Sequence, residues 1–225
     1  MYEPQSGLLY NDSSHVRLHA ITTEVDVIFA DPPYNIKKAT SSLPTYDKSQ
    51  SIIDQKWTDF SASWDVIKDY WEFTRGWLEP CQKLLKPSGS IYITGTYHSI
   101  PTVQMVLKQL GYHIIQWISW VKPNSFPNRE CIEMVKANEV IICAKKNQKA
   151  KPLYNRERAA DYATLDYWKL RRQLPKNKKD GLVKRVNLRD FWPINNDARA
   201  AQQFPFLFHG AKKPPELIAR CVDIA

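Results

Sequence analysis

The apolar run Val25-Asp26-Val27-Ile28-Phe29-Ala30 stops on Asp31-Pro32-Pro33-Tyr34, and this junction constrains the fold more than any other stretch of the chain. Such a run reads as a buried strand, too apolar to be half exposed and therefore expected at the centre of its sheet. The two prolines end the ladder, because each removes a backbone N–H and fixes φ. An acid and an aromatic ring are thus left at a strand tip, where open α/β sheets keep their chemistry.

The remaining elements alternate in kind. Leu8-Leu9-Tyr10 is a short strand candidate closed by Asn11-Asp12-Ser13-Ser14, a cluster suited to turning the chain and capping a helix. Residues 35–56 are polar without a period, a long loop directly after the Asp-Pro-Pro-Tyr junction. Trp64, Ile67, Trp71, Leu78 and Leu85 fall on a 3.6-residue period, predicting a helix from about Ser63 to Lys86 that Pro87 and Gly89 stop. Strands follow at Ser90–Gly95, His113–Val121 and Glu139–Ala144, with a helix at Pro101–Leu110 ended by Gly111. Asp190-Phe191-Trp192-Pro193-Ile194 returns to the sheet, and Lys213-Pro214-Pro215 opens a last helix through Leu217, Ile218, Cys221 and Ile224. Strands alternating with helices predict a mostly parallel sheet covered on both faces.

At 225 residues the chain can bury a full core as one domain, or one domain with an insertion. No apolar run approaches a membrane span, and Met1-Tyr2-Glu3-Pro4 has no basic region leading into an apolar core, so a cytoplasmic protein is expected. Cys81, Cys131, Cys143 and Cys221 lack C-x-x-C spacing, which predicts neither a zinc site nor a disulfide framework. His15 and His19 share a helical spacing but have no third ligand in view, so no metal site is expected.

The net charge of +9 is concentrated. Between Lys145 and Arg189 there are 15 Lys and Arg against four acids, a local balance of +11, which leaves the rest of the chain near neutral. A localised basic stretch is the electrostatic footprint of a polyanion, since each phosphate neutralised releases counterions. A solvated loop is the alternative, but Tyr154, Tyr162, Tyr167 and Trp168 interleave with the charges and favour nucleic acid.

Asp-Pro-Pro-Tyr suits one chemistry in particular. The exocyclic amine of adenine or cytosine is a poor nucleophile because its lone pair is delocalised into the ring. The Asp31 carboxylate and the Pro32 carbonyl, each accepting one N–H, favour a more tetrahedral nitrogen. Pro32 and Pro33 hold those acceptors in place, and Tyr34 offers a face for an extruded base. Asp-Pro-Pro is also a common way to turn a chain, and only its place after an apolar strand favours the catalytic reading.

These residues resemble the β-group of amino-methylating DNA methyltransferases, and are most similar to the cell-cycle-regulated adenine-N6 type. The match takes in Asp31-Pro32-Pro33-Tyr34-Asn35, Trp57-Thr58-Asp59-Phe60, Phe73-Thr74-Arg75-Gly76-Trp77-Leu78, Leu85-Lys86-Pro87-Ser88-Gly89-Ser90-Ile91-Tyr92 and Gly95-Thr96-Tyr97-His98. It continues through Trp120-Val121-Lys122-Pro123-Asn124, Pro127-Asn128 and Asn138-Glu139. The resemblance implies a Rossmann-like methyltransferase sheet with helices on both faces and S-adenosylmethionine as methyl donor. It divides the chain into a catalytic core over 1–144, a basic target-recognition insertion over 145–189, and a return to the core with a final helix over 190–225. Asp31, Pro32, Pro33 and Tyr34 would carry the reaction, and the Asp in first place favours adenine over cytosine N4. Asp12, Asp31, His209 and Lys213 are the implied donor contacts, with Asp12 equally readable as a helix cap. Arg171, Arg172, Lys178, Lys179, Lys184 and Arg185 are the candidate contacts to double-stranded DNA.

The chain departs from the family in two places. His209-Gly210-Ala211-Lys212-Lys213-Pro214 keeps the His, the second Lys and the Pro of the family's His-Pro-Thr-Gln-Lys-Pro element and loses the three residues between. The seven glycines include no Gly-x-Gly pair, so the family's donor-binding glycine loop is absent from this sequence. The expectation is a sheet lacking its C-terminal strands and a truncated or split enzyme, completed by a C-terminal fragment or acting as a homodimer, with little activity by itself. The alternatives are a DNA-binding relative without catalysis, a cytosine-N4 enzyme, or a methyltransferase acting on RNA or a protein amide.

Overall fold

A computed structural model describes residues 7–8, 10–36, 66–125, 134–169, 187–196 and 212–225. Over these residues the strands are β1 (Val25–Ala30), β2 (Leu85–Gly95), β3 (His113–Val121), β4 (Asn138–Lys145) and β5 (Phe191–Pro193), in the sheet order β1-β2-β4-β3-β5. β1 runs parallel to β2, and β3 parallel to β5, while β4 is antiparallel to both its neighbours. The expected mostly parallel sheet therefore contains one reversed strand, at its centre.

The helices are α1 (Ser14–Ala20), α2 (Tyr70–Leu84), α3 (Ile100–Gln109), α4 (Arg156–Lys169) and α5 (Pro215–Ile224). Alternation along the central strands sends side chains to two cores. Ile91, Ile93, Ile142 and Ala144 pack with Trp77, Leu78, Val103 and Leu107 of α2 and α3. Tyr92, Ile141 and Cys143 pack on the other face with Trp120, Trp192, Ala159, Leu217 and Cys221, beneath α4 and α5. Both faces of the sheet are thus covered, as the alternation of elements predicts.

β1 corrects one expectation. Among the described strands it lies at the edge of the sheet, paired only with β2, and its residues are half-buried apart from exposed Asp26. Ile28 and Ala30 face one core while Val27 and Phe29 face the other. An apolar run reports burial on two faces and carries no information about neighbours on two edges.

The predicted boundaries of α2 also move. Val66 to Asp69 are not helical; Asp69 is the N-cap, its carboxylate accepting from Glu72 N at 3.0 Å. The helix ends at Leu84, and Pro87 and Gly89 belong to an irregular stretch of β2, where the register jumps from Val25 opposite Leu85 to Val27 opposite Ser90. Gly89 suits the close approach there: a Cβ would lie 3.0 Å from the Asp26 carbonyl oxygen and 3.1 Å from that of Lys86, so the backbone would have to give by a few tenths of an ångström. Leu8 and Tyr10 form no strand, and exposed Tyr10 lies beneath the Arg17 guanidinium at 4.4 Å. His15 is a packing residue, with Nε2 3.1 Å from the Phe73 carbonyl oxygen and its ring 4.9 Å from that of Phe73.

The described start of the basic segment belongs to the body of the protein. Lys145 is buried and donates to the carbonyls of Gln148 and Ala150, while Lys146 donates to that of Leu85. α4 buries Ala159 and Ala163 and docks on α5 through fully buried Arg220, whose guanidinium meets both oxygens of Asp166 at 2.8 and 3.0 Å. Tyr162 donates to Asp223 at 2.7 Å and its ring lies 4.7 Å from the Arg220 guanidinium. Arg220→Met strands the Asp166 charge in this contact and is expected to cost about 3 kcal/mol of unfolding free energy, measured by urea denaturation. Replacing both partners, Arg220→Met with Asp166→Leu, is expected to cost less than the single change.

Candidate active site

Every strand direction in the sheet delivers a polar residue to one edge. Asp31 follows β1, β2 brings Thr94 near its C-terminal end, Lys122 follows β3, and reversed β4 brings Glu139 near its start. Lys213, two residues ahead of α5, reaches the same place.

Asp31 is held through one oxygen. Its Oδ1 accepts from the Thr94 hydroxyl, from the Tyr34 hydroxyl at 3.0 Å, and from Lys213 Nζ at 3.1 Å. Oδ2 is left as the less committed oxygen, on a side chain still 29% exposed. The Pro33 carbonyl accepts from the Tyr70 hydroxyl at 2.7 Å, which anchors the proline turn to α2. The turn is closed by Asn35 in the left-handed region at φ 55°, whose side-chain oxygen accepts from Ile67 N at 3.0 Å. Asn tolerates this conformation better than other residues with a Cβ.

The Tyr34 hydroxyl oxygen is also 3.0 Å from Glu139 Oε2, and Lys122 Nζ is 3.0 Å from Glu139 Oε1. Burial first, then the Glu139 and Asp31 carboxylates, push the Tyr34 phenol far above its ordinary range, so it serves as a neutral donor. The ring lies 5.0 Å from the Lys213 ammonium.

Beside Asp31 opens a cavity of about 720 Å³ between the end of β1 and α5. Phe29, Pro215, Ile218, Ala219 and Val222 supply apolar wall, and Asp31, Asp223, Lys212 and Lys213 its polar positions. The depression is wide open to solvent, and its apolar wall beside a few convergent charges is the composition that small-molecule and cofactor sites favour.

The structure brings together Asp31, Pro32, Pro33, Tyr34 and Lys213 from the sequence-derived candidates. Asp12 is held elsewhere, on Arg17 at 3.2 Å and the Ser13 N–H at 2.7 Å; Ser13 is the N-cap of α1. His209, Arg171, Arg172, Lys178, Lys179, Lys184 and Arg185 lie outside the described residues. Thr94, Glu139, Lys122 and Tyr70 were given no role by the sequence. Glu139 carried a usable signal, an acid at the mouth of an otherwise apolar strand, the mirror image of Asp31.

Comparison with known proteins identifies the family. The family model for DNA methylases of the N6/N4 group matches residues 25–225. Type II methyltransferase M2.LlaDCHI of Lactococcus lactis subsp. cremoris is 34% identical over 161 residues, covering 69% of this chain and 57% of its own length. Type II methyltransferase M2.DpnII of Streptococcus pneumoniae is 32% identical over 164 residues, covering 65% and 56%. The chain thus spans about half the length of the curated relatives it matches. Among solved structures, PvuII DNA methyltransferase, described as cytosine-N4-specific, shares the fold with a TM-score of 0.60 at 13% identity, over 96% of this chain and 68% of that one. With the family model extending from β1 to the end of α5, and the acid-Pro-Pro-aromatic turn at the sheet edge, the chain belongs to the N6/N4 DNA methylase family.

Proposed function

We propose that this chain carries the catalytic residues of an S-adenosylmethionine-dependent methyltransferase acting on the N6 amino group of adenine in double-stranded DNA. The observation that carries the reading is the Asp31 carboxylate, clamped through Oδ1 at a strand tip with Oδ2 outside the clamp, and the Pro32 carbonyl next in sequence is assigned as the second acceptor. Two acceptors side by side are what a planar amine needs, one for each N–H. As they draw the amine towards a tetrahedral shape, its lone pair is returned from the ring to nitrogen. Because the acceptors are fixed beforehand, little reorganisation is needed at the moment of reaction.

The donor, when bound, supplies an electrophilic methyl group on a sulfonium. The cavity beside Asp31 suits such a molecule in size and in having apolar wall next to carboxylates, and Asp31 with Lys213 would hold it. As the nitrogen–carbon bond forms, the amine loses a proton, and Asp31 Oδ2 is the acceptor in place for it. Adenine is preferred to cytosine on the Asp that opens the motif, and the basic residues Arg171, Arg172, Lys178, Lys179, Lys184 and Arg185 are assigned to DNA.

Asp31→Asn keeps the shape and the Thr94 and Tyr34 contacts while removing the charge. In the chain completed by a C-terminal fragment that carries the glycine loop, it is expected to lower transfer of labelled methyl to duplex DNA at least 10²-fold, with DNA affinity unchanged. Nucleoside digestion is expected to place the label on N6-methyladenine; label on N4-methylcytosine would reassign the target base, and undiminished transfer by the variant would remove Asp31 from the chemistry. Lys178→Ala with Lys179→Ala is expected to reduce the slope of log affinity against log salt by about two units, read by fluorescence anisotropy of labelled duplex.

A further inference from the structure

The turn after β2 has no part in the chemistry above, although it begins only two residues beyond Thr94, which holds Asp31 Oδ1. Thr96 and Ser99 close it. The Thr96 carbonyl accepts from Ser99 N at 3.1 Å and from Ile100 N at 2.9 Å, and the Ser99 hydroxyl oxygen accepts from Thr96 N at 3.2 Å. Ser99 is buried against the end of the strand, and Gly95 permits that approach: a Cβ there would lie 2.7 Å from Ser99 Oγ and 2.8 Å from Ile100 Cδ1. The two central residues, Tyr97 and His98, are left exposed on a pinned turn, their ring centroids 3.9 Å apart and their planes at 37°.

Tyr97 is 66% exposed, and its Cα lies within about 11 Å of that of Thr94, three residues back. Among the described residues the other exposed Tyr, Trp and Phe rings are placed differently. Tyr10 lies beneath Arg17, Tyr154 follows Leu153, whose N–H meets the Ser88 carbonyl towards the opposite end of β2, and Trp117 and Phe191 stand within strands. A ring that a rigid turn already holds in solvent loses little further freedom when it stacks on a partner.

An adenine whose amine reaches Asp31 has left the helical stack, and its departure opens a gap between the bases on either side. Tyr34 is committed within the site, its hydroxyl between Asp31 and Glu139 and its ring 5.0 Å from the Lys213 ammonium. We propose that Tyr97, backed by His98, enters the duplex as the target adenine leaves it and stacks on the neighbouring bases in its place. The inference rests on the reading of this chain as a DNA adenine methyltransferase and adds a positioning residue to it. Stacking accepts any base, because every base has a π-face, so Tyr97 holds the extruded state open without choosing the sequence. It neutralises no phosphate and releases no counterion.

The test is fluorescence anisotropy of the 225-residue chain on two labelled duplexes of one mixed sequence, the second carrying an abasic nucleotide in place of one adenine. The second duplex has the gap ready made, so insertion there requires no unpairing. Wild type is expected to bind it about ten-fold more tightly than the intact duplex. Tyr97→Ala is expected to bring the two affinities together, Tyr97→Phe to keep the preference, and His98→Ala to reduce it, all with the wild-type slope of log affinity against log salt. A preference that survives Tyr97→Ala, a preference lost in Tyr97→Phe, or an equal weakening of both duplexes by Tyr97→Ala overturns the proposal. Salt-dependent binding of wild type without any preference for the gap also overturns it and leaves the DNA assignment standing. Failure of wild type to bind either duplex overturns both.

Discussion

A single oxygen atom, Asp31 Oδ1, gathers donors from three parts of the chain. Thr94 comes from β2, Tyr34 from the proline turn, and Lys213 from the approach to α5. A carboxylate at a strand tip would otherwise sample several rotamers, and its second oxygen would have no fixed direction. Three donors on one oxygen convert a flexible acid into an oriented acceptor. The prolines do the same for the backbone beside it, with the Tyr70 hydroxyl pinning the Pro33 carbonyl to α2. The rest of the fold can be seen as the framework that makes these contacts coincide.

The reversed strand contributes most to that coincidence. Parallel strands present only their C-terminal ends at this edge, and in this chain those ends offer Asp31, Thr94 and the approach to Lys122. β4 runs the other way and presents its beginning, which places Glu139 opposite Asp31 without lengthening any loop. A second carboxylate so close would be unfavourable by itself, and the site meets the difficulty with two lysines of little exposure. The sheet and the charge balance therefore depend on each other: a fully parallel sheet would leave Lys122 and Lys213 without Glu139.

Much of this was legible in the sequence. The apolar runs located all five described strands and the last helix, although β2 begins at Leu85 rather than Ser90, and Asp31-Pro32-Pro33-Tyr34 could be tied to a strand tip because proline ends a ladder wherever it stands. The order and direction of strands were not legible, because periodicity reports which faces are buried and says nothing about which edges pair. That is why β1 was expected at the centre and the reversal of β4 was missed. Pro87 and Gly89 looked like a helix stop because both residues also suit an irregular strand, and only the close approach of the Asp26 carbonyl to Gly89 distinguishes the two. Tyr162 looked like a residue for stacking bases because it stands among cations; in the fold its hydroxyl serves Asp223 and its ring serves Arg220. Glu139 and Lys122 stand within segments that resemble the family but have no role legible there, since a charge acquires one only when a partner from another strand is brought within about 4 Å.

The site also depends on an ion pair that never touches it. Lys213 lies just ahead of Pro214, the extended N-cap of α5, so its position follows from how α5 docks. Leu217, Cys221 and Ile224 bury the helix, but apolar contacts alone tolerate a slide along the axis. Arg220 tolerates much less: its guanidinium meets both oxygens of Asp166 on α4, and a slip of one turn, about 5.4 Å, would separate them. A buried ion pair contributes little net stability compared with apolar residues of similar shape, so its value here lies in register. Moving α5 by one turn would carry Lys213 off Asp31 and Glu139 together, leaving the two acids facing one another across Tyr34. The register set by Arg220 and Asp166 is thereby transmitted along a rigid helix to the carboxylate proposed to carry the chemistry.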